Sequence, residues 1–138
     1  MKFVETYSYH DIGYQKLFHH QSWRVATLNY IDELEIDRIF YVEAHALTDE
    51  VFVLLEGECT LIFTEVVEGK IKDFTCVPME KHVVYKIPSG IYHTHTLSKE
   101  AHVLIIEEES TNYDNSSRIY LTNDDKNKLI ACYKESLK

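Results

Sequence analysis

From residue 23 to residue 109 the chain alternates between short apolar runs and brief polar gaps. The runs are WRVATLNYI (23–31), RIFYVEAHA (38–46), EVFVLLEG (50–57), CTLIFTEVV (59–67), KIKDFTCVPM (70–79), HVVYKIP (82–88), YHTHTLS (92–98) and AHVLIIEEE (101–109). Each is rich in Val, Ile, Tyr, Phe or Thr, residues that pack well on a pleated surface. Strands of this length separated by hairpin-sized gaps predict an all-β fold, a small antiparallel β-barrel or jelly roll. EVVEGKIKDF predicts a hairpin in which Gly69 takes the positive-φ turn position, and TLSKEAH predicts a second with a Ser-Lys-Glu tip.

The periodicity changes near the end. In LTNDDKNKLIACYKESLK, Leu129, Tyr133 and Leu137 recur every fourth residue, which places them on one helical face. Thr122 is the expected N-cap, and Asp124 and Asp125 in the first turn complement the helix dipole. A C-terminal α-helix of about 12–14 residues is therefore expected on the outside of the sheet. Residues 1–22 read as an N-terminal arm that pairs with the barrel or with a second subunit. Residues 23–110 read as the barrel, and 111–138 as a crossing loop and the helix of one single domain. The acidic, Asn/Ser-rich stretch before the helix is expected to be a solvated crossing loop, with closure over a barrel mouth by Tyr113, Asp114 and Arg118 as an alternative that nothing in the sequence demands.

Composition narrows the partners. The chain has 138 residues, enough for one real core, with 14 Lys+Arg against 23 Asp+Glu and a net charge of −9. Such a surface repels phosphate backbones and anionic lipid, so neither nucleic acid nor membrane is an expected partner. The three cysteines are odd in number, far apart and form no CxxC, as expected of reduced thiols in a cytoplasmic protein. The opening residues show no basic region followed by an apolar run, and no apolar stretch approaches about 18 residues.

Candidate chemistry sits in two stretches. In EAHALTDEVFVLLEG, His45 precedes Glu50, and Gly57 follows Glu50 after six intervening residues; some thirty residues on, PSGIYHTHTL places Pro88, Gly90 and His93 in the spacing PxGxxH. On strands, Glu43 shares a face with His45, and His93 with His95, about 6.6 Å apart at Cα. Two or three imidazoles and two carboxylates inside an apolar barrel are costly to bury unless something pairs them. A divalent metal would offset that cost. His10, His19, His20, His82 and His102 stand outside this pattern and read as ordinary partly buried or surface histidines.

The two stretches together resemble the paired motifs of the cupin superfamily, G-x5-H-x-H-x3,4-E-x6-G and G-x5-P-x-G-x2-H-x3-N, with the match covering residues 43–97. The chain departs from the pattern at Glu43, where the first motif has a histidine, and at His82 and Leu97 in the second. The resemblance implies a small single-domain cupin barrel and three metal ligands, His45, Glu50 and His93, with Glu43 or His95 as the fourth. It implies a divalent ion (Fe, Mn, Ni or Zn) and a small-molecule ligand or substrate. His95 and Glu43 are the candidate catalytic groups for proton transfer. Tyr41, Phe52, Tyr85 and Tyr92 are the candidate pocket wall.

Two functional classes follow. One is an enzyme (isomerase, epimerase, lyase or dioxygenase) acting on a small polar molecule such as a sugar, including a metal-free sugar isomerase that uses a His pair. The other is a non-catalytic small-ligand-binding barrel, since fold does not fix chemistry. A homodimer is also expected: Val51, Val53 and Leu55 point away from the face of Glu50 and need cover.

Overall fold

The computed structural model describes residues 3–112 and 115–138, so Tyr113 and Asp114 lie outside the described residues. The strands are β1 (Tyr14–His20), β2 (Trp23–Asn29), β3 (Tyr41–His45), β4 (Glu50–Glu56), β5 (Cys59–Val67), β6 (Lys70–Pro78), β7 (Val84–Ile87), β8 (Tyr92–Leu97), β9 (His102–Glu108) and β10 (Ser116–Tyr120). They form two five-stranded sheets, ordered β1-β2-β9-β4-β7 and β10-β3-β8-β5-β6. All strand pairings are antiparallel. The chain crosses between the sheets at most connections, as in a jelly roll.

Period-two alternation decides which side chains meet between the sheets. On β4 the inward row is Glu50, Phe52 and Leu54, and its partners across β9 include Ile105 and Val103. Leu61 and Leu97 from the second sheet join them in one core with Ala26, Leu28 and Ile87. That core fills one end of the space between the sheets and leaves the other end open.

The expected hairpin at Gly69 is present. Val67 pairs with Lys70, and Glu68 and Gly69 have φ of 53° and 75°, the two positive-φ positions of a two-residue turn whose twist suits the flanking strands. TLSKEAH is different. Ala101 N–H donates to Ser98 C=O at 3.1 Å, so the chain does turn there, but β8 and β9 belong to different sheets and do not pair. A short polar gap looks the same in sequence whether it closes a hairpin or a corner.

The barrel extends beyond residues 23–110 at both ends. The segment read as an N-terminal arm supplies β1, which pairs with β2 of its own chain, and the segment read as a crossing loop supplies β10, which pairs with β3. Both are edge strands without a fully buried residue, so neither shows the apolar alternation that marks a buried strand.

The helix α1 spans Asn123–Ser136 and packs on β6. Thr122 caps it: its hydroxyl accepts from Asp125 N–H, and the Asp125 carboxylate accepts from Thr122 N–H. Leu129, 1% exposed, docks against Ile62 on the outer face of the second sheet and against Ile39 just before β3. Burying that side chain contributes about 1.5–3 kcal/mol. Leu137, by contrast, is exposed at the C-cap. Among the described residues no helix is long and apolar enough to cross a membrane.

A candidate metal centre between the sheets

Two loops bring the candidate residues together. Gly90 N–H donates to His45 C=O at 2.9 Å, and Ser89 N–H donates to the Asp49 carboxylate at 2.9 Å. The Pro-Ser-Gly turn before β8 is thus tied to the segment joining β3 to β4. His45 at the end of β3, Glu50 at the start of β4 and His93 on β8 then face one another. They are 9%, 6% and 5% exposed.

His93 Nε2 lies 3.0 Å and His45 Nε2 3.4 Å from the same Glu50 oxygen, Oε1. The far side of each ring is fixed. His93 Nδ1 is 2.9 Å from Ile91 C=O, which can only accept, so Nδ1 donates there and Nε2 is turned toward Glu50. His45 Nδ1 lies 2.8 Å from the Ser116 hydroxyl on β10, its register partner. One donor atom from each of the three residues falls within 4.8 Å of the others. Two imidazole nitrogens and a carboxylate, oriented from behind by a carbonyl and a hydroxyl, suit a divalent transition metal or zinc.

The charges respond to this packing. Burial alone would push His45 down, but the hydrogen bond and charge of Glu50, with Glu43 nearby, hold it above the usual histidine range. Burial would raise Glu50, yet hydrogen bonds to His45, His93 and Glu107 keep it well below the usual carboxylate range. It is ionised and ready to act as a ligand.

Glu43 faces the same cavity, with Oε1 3.7 Å from His45 Nε2. Its other oxygen accepts a 2.7 Å hydrogen bond from Arg118 Nε, and the guanidinium lies 4.2 Å above the Tyr41 ring. His95 lies one row further in, where its ring is 5.4 Å from Phe52 and its buried Nδ1 has no hydrogen-bond partner among the described residues. Burial, with His93 beside it, pushes His95 down to about 4, so it is neutral at physiological pH.

These side chains open onto a cavity of about 550 Å³ lined also by Tyr41 and Phe52. Tyr85 and Tyr92 stand elsewhere. Tyr85 packs against the core and its hydroxyl accepts from Glu80 N–H at 2.8 Å; Tyr92 has the opposite strand parity to His93 and its hydroxyl lies 2.8 Å from that of Ser117. Aromatic character alone did not distinguish inward from outward positions.

The cavity residues that escaped the sequence reading include Glu107, Arg24, Tyr14 and Ser116. Glu107 is 5% exposed and pairs with Arg24 Nη2, which also donates to Thr111 C=O at 3.0 Å, while Nη1 donates to Glu109 C=O at 3.1 Å. Tyr14 also donates to Glu107, at 3.1 Å. Burial and the hydrogen-bonded Glu50 carboxylate raise the Glu107 carboxyl, while Arg24 opposes the shift. A signal existed: Val103, Ile105 and Glu107 alternate on β9, as Arg24, Ala26 and Leu28 do on β2, so parity places both charged groups on the core face.

No protein-family model matches the sequence, and no curated protein does. Similarity appears among solved structures. A cupin-2 domain protein from Shewanella frigidimarina is 19% identical, with 73% of this chain and 85% of that chain covered at a TM-score of 0.54. Pac13, a nucleoside dehydratase, is 9% identical over 88% of this chain and 95% of that one, at 0.58. A variant of Pac13 from Streptomyces, with uridine, is 10% identical over 88% and 94%, at 0.59. The likeness establishes the fold, a small barrel of cupin type.

Proposed function

We propose that this chain is a metal-dependent enzyme acting on a small polar molecule such as a sugar, with His45, Glu50 and His93 holding a divalent ion of Fe, Mn, Ni or Zn. The observation that carries the reading is the convergence of His45 and His93 Nε2 on one Glu50 oxygen inside an open cavity. Bound there, the ion would polarise a carbonyl or hydroxyl of the substrate. The chain's own residues do the rest. Ile91 and Ser116 fix the ring orientations of the two histidines. Arg118 holds Glu43 beside the site, and Phe52 and Tyr41 wall the cavity. His95, neutral and within the cavity, is the group we assign to proton transfer. The uridine seen with the Pac13 variant supports a polar substrate of this size in a barrel of the same fold.

A metal-free, His-based sugar isomerase is the alternative favoured by the direct His93–Glu50 contact at 3.0 Å, which already pairs an acid and a base without an ion. A non-catalytic ligand-binding barrel would use the same cavity. Thermal-shift screening of sugars and keto acids, with and without added metal, followed by NMR of the hits, separates the three. Metal-dependent turnover supports the proposal. Turnover in chelator points to the isomerase, and saturable binding without turnover to the binding barrel.

The free cysteines favour a reducing compartment, and we place the protein in the cytoplasm on that ground. We also propose a homodimer through the outer face of the first sheet, where Val25, Ile106 and Val51 share one cross-strand row and Leu104, Val53 and Val84 the next. Val84 is 68% and Ile106 37% exposed.

A further inference from the structure

The helix α1 meets β6 through sulfur as well as through apolar side chains. Cys132 lies one helical turn beyond Leu129, and its thiol donates to Phe74 C=O at 3.3 Å. Cys76 lies two residues beyond Phe74 on the same face of β6 and packs in the cluster that holds Leu129 and Ile62. The Cys132 thiol is thus held at the backbone of β6 two residues from Cys76, close enough for the two groups to influence one another. Both are partly accessible, whereas Cys59 is buried in the barrel core. The fold has therefore placed two of the three thiols, distant in sequence, side by side across the joint between helix and barrel.

We propose that Cys76 and Cys132 form an intramolecular disulfide on exposure to a low-molecular-weight disulfide such as oxidised glutathione, tying the C-terminal helix covalently to β6. One cysteine thiolate attacks a glutathione sulfur, forming a mixed disulfide and expelling one glutathione thiolate. The neighbouring cysteine then attacks the protein sulfur of that mixed disulfide and expels the second glutathione. Two protein thiols lose two electrons and two protons, and one glutathione disulfide becomes two thiols. Proximity favours the second step over a lasting adduct. The bond would constrain the unfolded chain over a long loop and so stabilise the folded one. Burial and the adjacent Cys132 push the Cys76 thiol up to about 12, which slows its attack on an external disulfide and makes the reaction faster as the pH rises.

The test is incubation of the full-length protein with oxidised glutathione at mildly alkaline pH, followed by thiol counting and peptide mapping without reductant. The expected result is loss of two of the three thiols, a linked Cys76–Cys132 peptide, no retained glutathione, and a rise in melting temperature that dithiothreitol reverses. Cys76→Ser and Cys132→Ser should each keep glutathione on the remaining cysteine and show no rise. Stable glutathione adducts on wild type, disulfide-linked dimers, or three free thiols under conditions that oxidise the urea-denatured protein would overturn the proposal. The wild-type peptide map decides the matter even if a serine variant folds poorly.

Discussion

Arg118 Nε donates to Glu43 Oε2 at 2.7 Å across a register pair of β10 and β3. Glu43 is the residue that stands where the cupin motif has its first histidine, so what holds it bears on the metal. A carboxylate already engaged by a guanidinium is a weaker candidate for the fourth ligand than one facing the ion alone. We predict that Glu43→Gln retains bound metal, while His45→Ala and His93→Ala lose it. Metal content after gel filtration checks this; loss of metal in Glu43→Gln would make Glu43 a ligand.

Ser116 meets His45 from the back of its ring, with the hydroxyl 2.8 Å from Nδ1. Its replacement by alanine leaves Nδ1 without its hydroxyl partner and loosens the ring. Supporting contacts of this type are typically worth about 10- to 100-fold in metal affinity. Ser116→Ala should weaken metal binding within that range while the melting temperature of the metal-free protein changes little. Unchanged affinity, measured by competition with a chromophoric chelator, would mean the hydroxyl does not orient the ring.

His95→Gln separates ligation from proton transfer. If His95 moves a proton, the variant keeps its metal and its substrate affinity and loses turnover by about 10²–10⁴-fold. If metal is lost instead, His95 is the fourth ligand. Elemental analysis together with turnover of whichever substrate the screen identifies reads both outcomes.

Gly57 forms the corner between β4 and β5 at φ +72°, and a Cβ there would meet Ala101 Cα and N at 2.6 Å. That is a collision with backbone, which cannot swing aside. Gly69 has a similar φ of +75° but open space around it. Gly69→Ala should therefore cost about 1 kcal/mol of backbone strain, and Gly57→Ala distinctly more. Denaturant unfolding of the two variants checks the order. Equal losses would show that the corner can move.

Much of the barrel was legible because a buried strand announces itself by alternation. EVFVLLEG names the inward row of β4, and the spacing of His45, Glu50, Gly90 and His93 places the site at one end of it. What stayed hidden lay on strands whose pattern solvent erases. In SSRIY of β10 every side chain is partly or fully exposed, yet Ser116 and Arg118 both reach the cavity. Tertiary pairing, unlike periodicity, leaves no local mark. Glu107 illustrates another blind spot: it sits in the acidic run EEE at the end of β9, where it resembles solvated charge, and only counting parity back from Val103 turns it inward. The cysteines illustrate the same point, since nothing in their spacing pairs Cys76 with Cys132.

The outer apolar rows of β2, β9, β4 and β7 carry the dimer proposal. Val53→Asp would put a charge in the middle of that face without touching the cavity. Light scattering at micromolar concentration should give a dimer mass for wild type and a monomer mass for the variant. A monomeric wild type would contradict it.

The central claim is that His45, Glu50 and His93 hold a metal ion. Its most direct test is elemental analysis of protein purified without chelator and without a metal-binding tag. The account predicts about one equivalent of Fe, Mn, Ni or Zn per chain, absent from His45→Ala and His93→Ala. Wild-type protein that carries none, and takes up none on reconstitution with each of the four, would contradict it.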